Sequence, residues 1–82
     1  MLTVSVISPE AILFEGAAES VVAPAFDGEV GILTGHAPMM TLLGQGELRL
    51  GTGAGQRFRV QGGFLQVVDD HVRVVTEYAS KL

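Results

Sequence analysis

Asp27-Gly28-Glu29-Val30-Gly31-Ile32-Leu33-Thr34-Gly35-His36-Ala37-Pro38-Met39-Met40-Thr41-Leu42-Leu43 is the most heavily punctuated stretch of this 82-residue chain. Glycines, a histidine and a proline break it into two apolar runs, 30–33 and 39–43. Each run is too short for an ordinary helix and long enough for a strand. The insert 34–38 therefore reads as a corner. Gly35 has access to positive φ, while Pro38 fixes its own φ and steers Ala37 away from helix. Strand, rigid corner, strand is the local prediction.

Working outward, the same grammar repeats. Leu2, Val4 and Val6 alternate with Thr3 and Ser5, which predicts a strand over Leu2–Ile7 with one face on a core. Ser8-Pro9-Glu10 is a turn signal. A short strand follows over 12–14, closed by Glu15-Gly16, and a third over 20–23, ended by Pro24. Gly44-Gln45-Gly46 turns the chain out of the opening stretch. In the second half, Leu48 and Leu50 alternate with Glu47 and Arg49, and Phe58 and Val60 with Arg57 and Arg59. The glycine-rich segment 51–55 joins these two as a hairpin loop. Gly62-Gly63 precedes a last pair of strands, 64–68 and 71–76, which meet at Asp69-Asp70. That is a candidate two-residue hairpin, weaker than Asp-Gly because non-glycine residues resist positive φ. About nine to ten short strands and no amphipathic helix predict an all-β domain, a small flattened β-sandwich or barrel spanning 1–82.

Composition narrows the function classes. With 48% hydrophobic and 17% charged residues, the chain is globular rather than disordered. There is no cysteine, which excludes disulfides, thiolate metal sites and a cysteine nucleophile. The net charge is −4, and the five Lys and Arg residues are scattered, with no basic run to neutralise phosphates or anionic lipid. No apolar run approaches the roughly 20 residues of a membrane span, and the N-terminus has neither a basic signal-peptide region nor transit-peptide character. Nucleic-acid binding and bilayer insertion are not expected.

The residues that might carry chemistry lack partners. Asp27 and Glu29 lie on one side of an extended chain, but no third polar group or pocket-forming segment accompanies them, so a solvated turn is the expected role. His36 and His71 are far apart in sequence. A metal site at Asp69-Asp70-His71 would require three adjacent turn residues to converge on one ion, so no metal is expected. His36 is instead expected to hydrogen-bond nearby backbone. The glycines of 51–55 precede a strand rather than a helix N-terminus, so they form no phosphate cradle. No serine lies in a nucleophile elbow. No catalytic residue and no cofactor are expected.

Two ordered motifs carry a resemblance over nearly the whole chain. Gly28-Glu29-Val30-Gly31-Ile32-Leu33 followed by Gly35-His36-Ala37-Pro38, and then Gly62-Gly63-Phe64-Leu65-Gln66-Val67 with His71-Val72-Arg73-Val74-Val75, resemble the ε subunit of F-type ATP synthases. Thr34 stands where that family usually has Pro, which removes one constraint from the corner. The resemblance implies a non-catalytic subunit at the foot of the central stalk, on the cytoplasmic face of the bacterial membrane, linking the γ shaft to the c-ring. It places Asp27, Gly28, Glu29 and Val30 against the polar loops of the c-ring. It places Ser8, His36 and Thr41 against γ. The exposed apolar pair Met39-Met40 offers a seat there, since methionine adapts to partner surfaces, and in a strand only one of the two can face the partner. Family members commonly continue into two C-terminal helices, where some bind nucleotide. The segment Glu77-Tyr78-Ala79-Ser80-Lys81-Leu82 is too short for a stable helix, so coupling without inhibition or nucleotide binding is expected of this chain. The alternatives are a free-standing β-sandwich ligand-binding module and a small cupin-like enzyme. The first lacks aromatics to line a concave site, at 6% of the chain. The second lacks converging metal ligands.

Overall fold

The computed structural model describes residues 1–53 and 55–82. The described residues form ten strands and no helix. These are β1 (Leu2–Ile7), β2 (Ile12–Ala18), β3 (Ser20–Ala25), β4 (Gly28–Leu33), β5 (Met39–Leu42), β6 (Gln45–Leu50), β7 (Arg57–Gln61), β8 (Phe64–Val68), β9 (His71–Val75) and β10 (Tyr78–Lys81). They build two five-stranded sheets, ordered β2-β1-β9-β8-β5 and β10-β7-β6-β3-β4. The expected all-β sandwich is the observed architecture. The predicted 51–55 loop includes position 54, which lies outside the described residues.

Alternation places the core between the sheets. Leu2, Val4 and Val6 of β1, Leu65 and Val67 of β8, and Val72 and Val74 of β9 point inward from the first sheet and are fully buried. They meet Val21, Ile32, Leu48, Phe58 and Val60 from the second. Burying each such side chain stabilises the fold by roughly 1.5–3 kcal/mol. All strand pairs are antiparallel except β1 with β9, whose parallel register sets Ile7 beside Val75. Ser5, predicted to face solvent, is nonetheless buried. It lies on a central strand, in one row between Glu15 and Arg73, and these neighbours flank it.

Several strand ends differ from the sequence prediction. β2 runs through Glu15-Gly16 to Ala18, because its pairing with β1 continues past the glycine, with Gly16 opposite Val4 and Ala18 opposite Leu2. β3 continues through Pro24 rather than ending at it. The Pro24 carbonyl accepts the Gly44 N–H (2.8 Å), so the missing N–H of Pro24 points the same way, toward β6. The β3–β6 pairing covers only Val21 and Val22, so the proline costs no ladder bond. β9 stops at Val75, and the final residues form an added edge strand, β10 against β7. The Asp69-Asp70 hairpin forms as predicted, with Val68 opposite His71 and both aspartates at positive φ (49° and 60°).

Thr76 and Gly63 hold the point where the chain leaves β9 for β10. The Thr76 hydroxyl is buried and lies 2.8 Å from the Tyr78 carbonyl and 3.2 Å from the Gln61 carbonyl, a shared donation that ties β7, β9 and β10 together. Gly63, at φ 96°, passes so close that an added Cβ would run into the Val75 carbonyl and sit 2.7 Å from Thr76 Cα. Substituting Gly63→Ala is expected to destabilise the domain by at least about 2 kcal/mol, from the strained φ and the clash together. Thr76→Val should cost about 1–2 kcal/mol through the carbonyls it leaves unpaired. Chemical denaturation checks both: an unchanged midpoint for Gly63→Ala would contradict the packing described.

Candidate functional site

The predicted site residues separate to the two ends of the sandwich. The β3–β4 hairpin places Asp27 at its tip, with Ala25 opposite Gly28 and the tip closed by Gly28 at φ 129°. Phe26 and Asp27 are exposed there, Phe26 at 67%. The Phe26 N–H donates to the Leu42 carbonyl (3.0 Å), so this tip adjoins the end of β5. Glu29 is exposed on β4 and Val30 is half-buried against the core. The Glu29 carboxylate lies 3.3 Å from the Arg49 guanidinium, which also approaches Glu47 (3.8 Å). Glu47 in turn meets Arg57 at 3.3 Å. This partly exposed ion chain adds little stability, but it holds Glu29 along the outer face of the second sheet.

The Thr34–Pro38 corner stands at the opposite end of β4. His36 donates its backbone N–H to the Leu33 carbonyl (3.1 Å). Its Nδ1 lies 2.7 Å from the Ala37 carbonyl. A carbonyl only accepts, so this contact needs the hydrogen on Nδ1. The corner histidine is therefore bonded to adjacent backbone, as its sequence context predicts.

β5 connects the two ends. Met39 and Thr41 pair with the buried Val67 and Leu65 and share their inward face; Met40 and Leu42 pair with Gln66 and Phe64 and point outward. Met40 and Leu42 are each 63% exposed. Met39 packs against the core, so of the pair Met40 is the one that faces outward, as the expected strand alternation requires. Ser8 lies on the far side of the first sheet, just past β1, where its hydroxyl donates to the Ala11 carbonyl (3.3 Å).

What joins Ser8 to β5 is a row of side chains that sequence reasoning missed. Leu42 pairs with Phe64, Phe64 with Val75, Val75 with Ile7, and Ile7 with Ile12. These five apolar residues cross every strand of the first sheet on its outer face. Ile12 is 62% exposed, and Phe64, Val75 and Ile7 are half-buried. Ser8 and Pro9 extend the row into an open apolar groove against Phe64 and Val75. A signal for it was present in the sequence. The segment 64–68 is apolar at both odd and even positions apart from Gln66, which in an antiparallel sheet marks a strand with something to cover on both faces.

Among the described residues, no group of three or more His, Cys, Asp or Glu side chains is placed to hold a metal ion. No buried side-chain polar atom among the described residues lacks a partner. The second open depression, on the outer face of the first sheet, is lined by Gln66, Asp69, His71 and Arg73, all on β8, β9 and their turn. Among the described residues, no helix is long and apolar enough to cross a membrane.

Comparisons with known proteins agree with this fold. The family model described as the ATP synthase delta/epsilon chain, beta-sandwich domain, matches residues 1–81. An ATP synthase epsilon chain of Leptospira borgpetersenii is 42% identical over 80 residues, which is 96% of this chain and 63% of that protein. One from Rhodopirellula baltica is 49% identical over 72 residues, 87% of this chain and 56% of that protein. The chain thus spans a little over half the length of these curated relatives. Among solved structures, a chain of the Euglena gracilis mitochondrial ATP synthase superposes with a TM-score of 0.88 at 20% identity, over 98% of this chain and 52% of that one. A chain from the central stalk and c-ring of the Tetrahymena thermophila mitochondrial ATP synthase does so at 0.81 and 14%, over 96% and 65%. At those identities the likeness is one of fold. The match of the family model over residues 1–81 decides the assignment: this chain belongs to the ATP synthase delta/epsilon β-sandwich family.

Proposed function

We propose that this chain is the β-sandwich part of the ε subunit of an F-type ATP synthase, a rotor component with no active site of its own. In this reading it sits peripherally on the cytoplasmic face of a bacterial membrane and links the γ shaft to the c-ring. Shaft and ring then turn as one body, and ion translocation is coupled to ATP synthesis in the catalytic head. The observation that carries the proposal, in a chain of this family, is the apolar row on the outer face of the first sheet. A sheet face with five adjoining apolar side chains is unusual for a free monomer and fits a protein partner. Ser8 and Met40 border the row, His36 extends the surface beyond the start of β5, and Thr41, whose side chain shares the inward face with Met39, adjoins this face through the backbone of β5. We assign this face to γ, with Met39 supporting β5 from behind.

The other contact is acidic and lies at the hairpin tip. Asp27 and Gly28 present the turn, Glu29 is steered by Arg49, and Val30 anchors β4 to the core. We assign these four residues to the polar loops of the c-ring. A rotor coupling of this kind needs stiffness, and two five-stranded sheets sharing one core resist bending better than a hinged helix pair. In this reading the contacts of the domain are with protein.

Titration into a γ-containing catalytic core that lacks its ε subunit should give saturable one-to-one binding. Met40→Glu should weaken it about tenfold or more, the weight of one exposed anchor side chain, with an unchanged unfolding midpoint. A folded chain that fails to bind at micromolar concentration would leave the ligand-binding module as the better reading. In the assembled rotary complex, Glu29→Cys should cross-link to the c-ring loops while Thr52→Cys, at the opposite end of the second sheet, should not. Equal yields at the two positions would remove the assignment of the hairpin tip.

A further inference from the structure

The corner that carries His36 is tied to a distant part of the chain by one side chain. The Gly35 N–H donates to Oδ1 of Asp70 at 2.7 Å, across 35 residues of sequence. Among the described residues, the other hydrogen bonds of the corner are local: His36 N–H to the Leu33 carbonyl, and His36 Nδ1 to Ala37. Gly35 itself is at φ 88°, so its amide direction is set by a conformation that only glycine adopts easily. A charged acceptor aimed at that amide makes a stronger bond than a neutral one.

Asp70 occupies a position that turn chemistry alone would assign otherwise. It is the second residue of a two-residue hairpin, at φ 60°, where glycine fits with least strain. Its backbone carbonyl accepts the Thr3 N–H (2.9 Å), a service that any residue performs. Only the carboxylate distinguishes aspartate here, and the carboxylate is spent on Gly35. We propose that Asp70 is a positioning residue. By pinning Gly35 it fixes the Thr34–Pro38 corner against the β8–β9 turn, and so fixes where the His36 ring stands at the start of β5. This inference rests on the reading that His36 meets the γ shaft, and it assigns to Asp70 the order of that contact without touching the shaft itself.

The test uses Asp70→Gly, which improves the turn and removes the tie, so that stability and positioning move in opposite directions. Asp70→Asn keeps an acceptor oxygen and a tolerance for positive φ. In the isolated chain, Asp70→Gly should leave the unfolding midpoint unchanged or raised while Gly35 amide exchange quickens about tenfold, the size expected for losing one charge-assisted hydrogen bond. Binding to the γ-containing core should weaken about fivefold, and Asp70→Asn should restore most of both. If Gly35 exchange is the same in Asp70→Gly and the parent chain, the tie does not operate and the proposal falls, whatever γ does. If exchange quickens but binding is unaltered, the tie does not position the contact and the proposal again falls. A parent chain that does not bind the core at all removes the functional reading and this inference with it, an outcome separable from the first two by the parent titration.

Discussion

The structure depends on one constraint: a chain this short must change sheets five times without leaving backbone groups unpaired. The crossings fall between β2 and β3, β4 and β5, β5 and β6, β7 and β8, and β9 and β10. Each abandons a ladder, and each finds a substitute partner, because a buried unpaired amide or carbonyl costs as much as a lost hydrogen bond. Glu19 donates to Gly51 and Gly51 to Ser20; Gly44 donates to Pro24, Leu43 to Gly63 and Gly62 to Gly44. Gly35 donates to the Asp70 carboxylate, and Thr76 supplies a hydroxyl for Gln61 and Tyr78. Glycine recurs at these points for a mechanical reason, clearest at Gly63, where no side chain fits between two sheets passing each other. The core between the sheets is sealed because the crossings are.

Sealing the core leaves two outer faces of different character. The second sheet turns charged side chains outward and links them from Glu29 through Arg49 and Glu47 to Arg57. Such a face is content in water. The first sheet carries an apolar row on its outside, from Leu42 to Ile12. That division gives the domain one apolar outer surface and, adjoining its Leu42 end, a hairpin tip that exposes Asp27. The parallel pairing of β1 with β9 completes the apolar row, because it alone brings Ile7 to Val75. An antiparallel neighbour in that place would reverse β1 and take Ile7 and Ser8 to the other end.

Much of this is legible in the sequence, and the unreadable part has identifiable physical causes. Short alternating segments with Gly and Pro between them announce strands, and the inward sets Leu2-Val4-Val6, Leu48-Leu50 and Phe58-Val60 are where alternation puts them. The corner at 34–38 and the Asp69-Asp70 turn follow from local φ preferences. Strand lengths were misjudged where a local breaker was overruled by context. Gly16 lies inside β2 because the ladder with β1 continues past it, and Pro24 lies inside β3 because the ladder on its N–H side is already interrupted. The closing strand β10 is too short to announce itself and exists only because β7 offers it an edge.

The candidate site is legible only in pieces. Asp27, Glu29, His36 and Met40 stand out as residues because they sit at turns or at exposed strand positions, and a chain read in order finds those. The row that unites Ser8 with β5 is composed of residues far apart in sequence, and no local pattern reveals which strands adjoin. The amino-acid sequence by itself determined the fold class, the inward and outward faces of most strands, and the turns, because these depend on period-two alternation and on the φ limits of single residues. Only the tertiary structure decided which strands became neighbours, and therefore the apolar row, the Glu29–Arg49 pairing and the hold of Asp70 on Gly35. Those rest on contacts between segments that meet only after the sheets have closed on a common core.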